Sequence, residues 1–211
     1  MKIIDLSHPL VPSMPVYPGT EPPEFTDVYT YGTDGFLEKK ITFYSHAGTH
    51  LDAPAHLFPG GKTLDAYPVD QFAGPAVVLR LTGTEGRIAV ADLLPYEEEL
   101  SRAAYVLLYT GWSHKWGSPA YFSSYPVLSP AAAGWLARFP LRGIGTDTLS
   151  LDAVGARGLP VHNIFLAKEI LIVENLTGLD RIDGGRPLFC CFPLKMEGAE
   201  GSPVRAVAII D

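Results

Sequence analysis

The chain of 211 residues carries 16 Lys and Arg against 23 Asp and Glu, so its formal net charge is −7. This acidic balance argues against nucleic acid or a membrane surface as the partner, because both select for clusters of basic side chains. Hydrophobic residues make up 47% of the sequence, enough for the core of a globular protein. The 21 glycines and 19 prolines predict many turns and short elements and exclude a bundle of long helices.

The apolar runs and the cysteines exclude further classes of protein. Residues 1–6 contain no apolar stretch of signal-peptide length, and the longest apolar runs fall far short of the ~20 residues of a membrane helix. Cys190 and Cys191 are adjacent and cannot form a disulfide framework, so we expect inert buried thiols. No repeat or linker divides the chain. We therefore expect one soluble, cytoplasmic domain over residues 1–211.

Seven segments have the composition of strands, and they are spread over the whole chain. In chain order they cover residues 3–6, 36–45, 76–81, 105–109, 171–174, 188–192 and 204–210. A proline-rich loop over residues 9–23 follows the first strand. The runs at 76–81 and 105–109 are nearly continuously apolar, which is typical of central strands that are buried on both faces.

Helices are fewer. Ser129 followed by Pro130 predicts an N-cap and a first helical position, with the helix running to about residue 138. A weaker helical segment covers 92–100 and is interrupted near Pro95, and a third covers 163–170. Strands outnumber helices and alternate with them. The pattern predicts an α/β fold with a mixed sheet in a layered β/β/α (swivelling-domain-like) arrangement, backed partly by a second sheet and partly by helices.

Three of the six histidines lie within eleven residues, next to an aspartate. The even-numbered positions of this segment hold its polar groups, so extended backbone would point them to one side; they are His46, Gly48, His50, Asp52, Pro54 and His56. In a straight strand, the first two histidines would lie ~13 Å apart, too far to share one ion comfortably. We therefore predict a bend at the glycine.

A helix is the alternative for this segment, because His46 and His50 also have i, i+4 spacing. Gly48 in the middle and Pro54 after Ala53 both oppose it. Two imidazoles and a carboxylate that converge are typical ligands of a first-row metal, whereas single histidines near a strand end are more often only solvated. Thr49 is either a turn residue or holds a ligand through its hydroxyl group.

The segment resembles the HxGTHxDxPxH signature of the cyclase family of metal-dependent hydrolases, which includes bacterial kynurenine formamidases and isatin hydrolases. The resemblance extends over nearly the whole chain. It includes residues 4–8, 15–19, 145–152, His162, 174–176 and 201–205.

The resemblance implies two divalent metal ions per chain, with Zn²⁺ preferred and Mn²⁺ as the other candidate. His46, His50 and Asp52 would hold one ion, and Asp52, His162 and Glu174 the second. The resemblance also implies that His56 is the catalytic acid and base and that the chain forms a homo-oligomer, a dimer or a tetramer.

The activity implied is hydrolysis of a small-molecule amide, with an arylformamidase acting on N-formyl-L-kynurenine as the leading hypothesis. Tyr17 is the candidate substrate-binding residue, and it stands where kynurenine formamidases typically carry Trp. Tyrosine also stacks on an aromatic ring. This difference keeps open an isatin-type or cyclic-imide hydrolase. The non-enzymatic alternative is a structural or sensory metal-binding domain.

Overall fold

Short strands and helices alternate along the chain, as its glycine and proline content predicts. The computed structural model describes residues 1–84 and 86–210. Its strands are β1 (Lys2–Asp5), β2 (Glu24–Tyr29), β3 (Glu38–Thr42), β4 (His50–Asp52), β5 (Ala73–Arg80), β6 (Arg87–Ile88), β7 (Tyr105–Tyr109), β8 (Val127–Leu128), β9 (Gly143–Thr146), β10 (Leu171–Glu174), β11 (Leu188–Cys190), β12 (Gly201–Pro203) and β13 (Val207–Ile210).

The α-helices of the described residues are one or two turns long. They are α1 (Tyr31–Asp34), α2 (Val90–Leu93), α3 (Glu97–Leu100), α4 (Pro130–Leu136) and α5 (Pro160–Leu166). Single turns of 3-10 helix connect many of the elements; they cover Pro54–His56, Leu64–Ala66, Val69–Phe72, Leu94–Tyr96, Trp112–Lys115, Pro119–Phe122 and Leu179–Arg181. None of the helices in the described part of the chain has the length and apolar character needed to cross a bilayer.

Nine of the strands form one mixed sheet in the order β1-β13-β11-β5-β7-β9-β10-β4-β12. The four central strands, β5, β7, β9 and β10, are parallel to one another. Antiparallel strands extend the sheet on both sides, with β11 next to β5 and β4 next to β10. The predicted α/β fold with a mixed sheet is confirmed, and both predicted central strands lie in its middle.

The central strands are buried on both faces, so successive side chains enter two different cores. Val106 and Leu108 of β7 pack in the core beneath α4 and α5, whereas Leu107 packs in a second core inside the curled sheet. The same alternation holds in β10, where Ile172 enters the first core and Val173 the second. Burying each of these side chains contributes roughly 1.5–3 kcal/mol, which holds β10 and its neighbours in register.

The predicted helices form with shifted ends. Ser129 caps α4 by accepting a hydrogen bond from the backbone N–H of Ala132 at 3.1 Å, as its sequence position predicts. The segment 92–100 is divided into α2, a 3-10 turn and α3, because Pro95 lacks the N–H that a continuous helix needs. The third helix, α5, begins at Pro160, three residues before the predicted start.

Several short strands were not predicted; they are β2, β6, β8, β9 and β12. Strand β2 pairs with β3 in a separate hairpin, and most of its side chains are exposed, so it has no alternating apolar pattern.

Cys190 and Cys191 are both buried, as expected. Burial raises the pKa of the Cys191 thiol to about 12, which leaves it protonated at neutral pH.

Candidate metal centre

The histidine-aspartate segment is extended and bent, as the sequence predicts. His50 and Asp52 lie on the same face of β4, while Leu51 between them enters the core inside the curled sheet. Gly48 has a φ of 65°, a conformation that favours glycine, and its bend folds the preceding residues back over the strand. The rings of His46 and His50 are consequently only 5.1 Å apart, measured between centroids.

Strand register brings the second part of the site to the first. In the antiparallel pair of β4 and β10, Glu174 lies directly opposite His50, and Ile172 lies opposite Asp52. His162 is on the first turn of α5, which precedes β10 in the chain. Residues more than a hundred positions apart thus share one buried cluster.

Two groups of three side chains place a ligand-type atom within 4.8 Å of one another. The first is His46, His50 and Asp52, the second is Asp52, His162 and Glu174, and the two share the aspartate. His46 Nδ1 lies 2.7 Å from Asp52 Oδ1, and His50 Nε2 lies 3.3 Å from the same oxygen. His162 Nε2 lies 3.2 Å from Glu174 Oε1 and 3.7 Å from Asp52 Oδ2. The structure therefore brings all five predicted ligands together.

Each ring of the deeper histidine pair has one nitrogen occupied by a fixed partner. His50 Nδ1 lies 2.8 Å from the Gly48 carbonyl oxygen. Because a carbonyl only accepts, Nδ1 carries the proton, and in the neutral ring the Nε2 lone pair faces the carboxylates. His162 Nδ1 lies 2.8 Å from Asp152 Oδ2. Here too Nε2 is the atom that faces the cluster.

Asp152 is a site residue whose role the sequence left unassigned. Its carboxylate also accepts hydrogen bonds from the backbone N–H groups of Val161 and His162. Burial alone would raise the pKa of Asp152, but the hydrogen bonds from His162 and its backbone outweigh burial and lower the pKa. A carboxylate behind a histidine fixes the orientation of the ring and makes its other nitrogen a better donor to a metal. In the sequence, the only signal for Asp152 is that residues 145–152 resemble the cyclase family.

Backbone contacts hold the other members of the cluster. Glu174 Oε1 accepts a hydrogen bond from the Leu151 N–H at 3.0 Å. The Thr49 hydroxyl donates to the backbone oxygen of Asn175 at 2.6 Å and accepts from the His8 N–H at 2.9 Å. Thr49 therefore ties the strand to the residue after Glu174 and makes no hydrogen bond to a ligand side chain within the described residues.

Gly201 is a second residue that the sequence left without a role. A Cβ atom at this position would lie 2.6 Å from His46 Cε1 and 2.7 Å from His46 Nε2, so only glycine leaves room for the ring. The Nε2 atom lies 3.4 Å from Glu200 Oε1 without hydrogen-bond geometry, and it is a buried polar atom without a partner among residues 1–84 and 86–210.

His56 lies on the 3-10 turn that follows β4 and contacts the cluster from its open side. Its ring centroid is 4.2 Å from that of His46 and 6.3 Å from that of His162. No side chain of the described residues hydrogen-bonds to this ring. Burial lowers the pKa of His56 and outweighs the opposing charge of Asp52, so the neutral ring is favoured. It is thus a free base beside the cluster.

The cluster is strongly polarised by its own charges. Burial raises the pKa of Asp52, but His50 and His46 outweigh it and hold the pKa well below its usual range. Burial lowers the pKa of His50, but Asp52 and Glu174 outweigh this effect and raise it to about 9. The pKa of His162 is raised to about 10, against burial, by Asp152 and Glu174. The carboxylates therefore favour the protonated rings of His50 and His162 in the metal-free protein.

A cavity of about 310 Å³ opens onto the cluster. Its walls combine the candidate ligands and His56 with apolar side chains, and they include Pro15, Val16, Tyr17, Thr20, Leu149, Ser150 and Leu159. Tyr17 is 42% exposed and lies at this cavity, where the sequence places the substrate-binding residue. The volume fits a ligand of one or two rings.

The remaining histidines and the nearby aromatic residues lie outside the cluster. The His8 ring stacks on Trp116 with centroids 3.9 Å apart, and burial lowers the pKa of His8 to about 4. His114 is exposed on the 3-10 turn Trp112–Lys115. Trp112, Trp116 and Tyr121 pack together in a small aromatic core, and none of them lines the cavity.

Comparison with known proteins agrees with these features. A family profile described as "Putative cyclase" matches residues 4–153. A kynurenine formamidase of Geobacillus thermodenitrificans (strain NG80-2) is 32% identical over 205 residues, covering 96% of this chain and 95% of its own. The isatin hydrolase A of Ralstonia solanacearum superposes with a TM-score of 0.88 at 26% identity, covering 100% of this chain and 92% of its own. A potential metal-dependent hydrolase with cyclase activity superposes with a TM-score of 0.83 at 28% identity, covering 98% and 96%. The chain therefore belongs to this cyclase family.

Proposed function

We propose that the protein is a metal-dependent hydrolase of small amides, and that its substrate is an aryl formamide such as N-formyl-L-kynurenine. The observation that carries the proposal is the pair of ligand groups that share Asp52, at the wall of a cavity that His56 also lines. The formamidase relative, similar over almost the full length of both chains, supports the same activity.

The donor set supports a metal at this site. Three imidazoles and two carboxylates converge, and none of the lysines or arginines of the described residues forms an ion pair with them. The His46 ring contributes its Nδ1 atom, which lies 2.7 Å from Asp52 Oδ1, while its buried Nε2 atom has no hydrogen-bond partner among the described residues. We propose two divalent ions, Zn²⁺ or Mn²⁺, one at His46, His50 and Asp52 and one at Asp52, His162 and Glu174.

When bound, such ions lower the pKa of a coordinated water and polarise the substrate carbonyl. The chain's own contribution to the reaction is proton transfer. Neutral His56 takes the proton of the attacking water as the new carbon–oxygen bond forms. It then returns that proton to the amide nitrogen as the carbon–nitrogen bond breaks, which leaves a free amine and formic acid, and the acid releases its remaining proton to give formate.

The cavity also favours a second candidate, an isatin-type hydrolase. Among the described lining residues there is no lysine or arginine that could pair with a carboxylate. N-formyl-L-kynurenine carries a carboxylate and an ammonium group, whereas isatin carries no charge. In either case we propose that Tyr17 stacks on the aromatic ring of the substrate, with its hydroxyl at the cavity mouth.

The open cavity argues against a structural or sensory metal site. A structural site is closed, because four protein ligands complete the coordination of the ion. Here the candidate ligands share a wall with His56 and face a cavity large enough for a substrate.

We further propose that the protein acts in the cytoplasm as a homo-oligomer, a dimer or a tetramer. Apolar side chains of the β2–β3 hairpin are exposed, which supports an interface at this surface; they are Val28, Tyr29, Tyr31, Phe36, Leu37 and Ile41. Sedimentation equilibrium of the purified chain measures its mass in solution, and a monomeric mass at micromolar concentration contradicts the proposal.

The test of function combines metal analysis with a substrate pair. Protein purified without added metal is analysed for its metal content, and rates are then measured on N-formyl-L-kynurenine and isatin side by side, before and after treatment with a chelator. We expect bound Zn²⁺ or Mn²⁺ and turnover that the chelator abolishes and the metal restores. Turnover that survives complete removal of metal contradicts the proposal, and the ratio of the two rates decides between the substrates.

A further inference from the structure

Asn175 follows the candidate ligand Glu174 and reaches back to the other side of the site. It has a φ of 58°, a left-handed conformation that Asn tolerates better than most residues, and only 4% of it is exposed. The backbone therefore turns sharply at the end of β10. As a result the Asn175 side chain points towards β4 rather than along its own strand.

The Asn175 side chain hydrogen-bonds to the same carbonyl group that holds His50. Asn175 Nδ2 donates to the Gly48 oxygen at 2.9 Å, and His50 Nδ1 lies 2.8 Å from that oxygen. Because the carbonyl only accepts, both partners must donate. This assigns the orientation of the Asn175 amide and the proton position on the His50 ring together.

The hydroxyl of Tyr121 hydrogen-bonds to the oxygen of the Asn175 side-chain amide. Its hydroxyl lies 2.7 Å from Asn175 Oδ1, and the side chain is fully buried in the aromatic core with Trp116 and Phe122. Since the amide nitrogen faces Gly48, the oxygen faces Tyr121, and the hydroxyl is the donor. If the Asn175 amide were flipped, its oxygen would face the Gly48 carbonyl, which cannot donate. The amide therefore has one favourable orientation.

The backbone of Asn175 joins the two segments a second time. Its carbonyl oxygen accepts the hydrogen bond from the Thr49 hydroxyl at 2.6 Å. Residues 48–50 are thus held to residues 174–175 by one side-chain contact in each direction. The bend that positions His50 is therefore stabilised by contacts with Asn175, at the end of β10.

We infer that Asn175, supported by Tyr121, is a positioning residue that holds the Gly48 carbonyl and so keeps His50 with Nδ1 protonated and Nε2 directed at Asp52 and Glu174. The inference rests on the proposed function, because it assigns these residues a role in metal binding. Within the described residues, neither side chain hydrogen-bonds to a candidate ligand. Their effect passes through one backbone carbonyl.

A competing explanation is that Asn occupies position 175 only because the backbone there is left-handed. Asn175→Gly separates the two, since glycine adopts this conformation without strain and lacks the amide. Tyr121→Phe removes only the hydroxyl that orients the amide. Tyr105→Phe is the matched control: Tyr105 is also fully buried, and its hydroxyl donates to the Gln71 carbonyl, outside the site.

The experiment measures Zn²⁺ affinity by competition with a chromophoric chelator, for the wild type and the three variants, together with their melting temperatures. Protonation of the His50 ring is followed by nitrogen-15 NMR. We expect Asn175→Gly to weaken Zn²⁺ binding about 10-fold, at the lower end of the range for groups that support metal ligands. Tyr121→Phe should weaken it less, and both should alter the His50 imidazole signals. Tyr105→Phe should lower the melting temperature without changing either.

The possible outcomes separate the two proposals. Wild-type protein that binds no metal overturns the proposed function and the positioning role with it. Wild-type protein that binds Zn²⁺, with Asn175→Gly and Tyr121→Phe unchanged in affinity and in the His50 signals, overturns only the positioning role. If Asn175→Gly does not fold, Tyr121→Phe alone decides, because it leaves the backbone at position 175 as it is.

Discussion

Asp152 and His162 are joined twice: one carboxylate oxygen of Asp152 lies 2.8 Å from the Nδ1 atom of the His162 ring and accepts the His162 backbone N–H at 3.0 Å. The ring is therefore oriented by the residue that also holds the start of its helix. This contact determines which nitrogen of His162 faces Glu174 and Asp52.

Removing this carboxylate should weaken metal binding more than it weakens the fold. In Asp152→Asn the charge is lost, and the amide NH₂ has to face donors, either the backbone N–H groups or the ring N–H. We expect the metal affinity to fall about 10- to 100-fold, which chelator competition measures. Asp147→Asn is the control, because Asp147 is another buried carboxylate that accepts backbone hydrogen bonds, from Thr110 and Gly111. Equal metal loss in both variants would contradict a specific role of Asp152.

Replacing His56 should separate catalysis from metal binding. The ring lines the cavity and makes no hydrogen bond to the cluster within the described residues, so His56→Ala should keep its metal. We expect turnover to fall about 10²- to 10⁴-fold, the usual contribution of an acid–base group. His114→Ala, at an exposed position, should leave turnover unchanged. Near wild-type turnover of His56→Ala on both substrates would show that the assigned role is wrong.

A methyl group at position 201 should displace a candidate ligand. The added Cβ of Gly201→Ala would meet the His46 ring at 2.6 Å, so the ring has to leave its present position beside Asp52. We expect a lower metal content after dialysis, measured by elemental analysis. Gly134→Ala is a control of opposite sign: it lies in α4 with open space around it, and alanine there should stabilise the helix by roughly 0.5–1 kcal/mol. Full metal retention by Gly201→Ala would argue against His46 as a ligand.

The stability of metal-free protein should depend on pH through the two deep histidines. The folded-state pKa values of His50 and His162 are raised to about 9 and about 10, above the ordinary 6.5. The folded protein therefore binds more protons than the unfolded chain across this window, and that stabilisation is complete below pH 6.5. It is lost as the pH rises through about 9 and 10.

Calorimetry checks this dependence. The melting temperature of chelator-treated protein should fall from pH 7 to pH 10, and that of metal-loaded protein should fall less, because a bound cation replaces the protons. For the same reason metal affinity should increase with pH over this range. A melting temperature of the metal-free protein that rises between pH 7 and pH 10 would contradict the assigned pKa shifts.

The sequence alone predicted the local features of the fold. The bend at Gly48 follows from the need to bring two histidines together, and the start of α4 follows from Ser129 and Pro130, since both depend on neighbouring residues. The central strands at 76–81 and 105–109 were recognised because burial on both faces requires continuous apolar runs. Strand β2 was not, because its exposed side chains carry no such pattern.

Some residues of the candidate metal centre could be predicted from the sequence, whereas other contacts in it depend on the tertiary structure. His46, His50, Asp52 and His56 lie within eleven residues, so spacing and parity sufficed to nominate them. Other contacts join residues far apart in the chain, such as Gly201 beside His46 and Asn175 beside Gly48. They exist only because β4 lies between β10 and β12 in the sheet. Sequence determines which groups are available at a site, whereas strand order and burial decide which of them meet and in which protonation state.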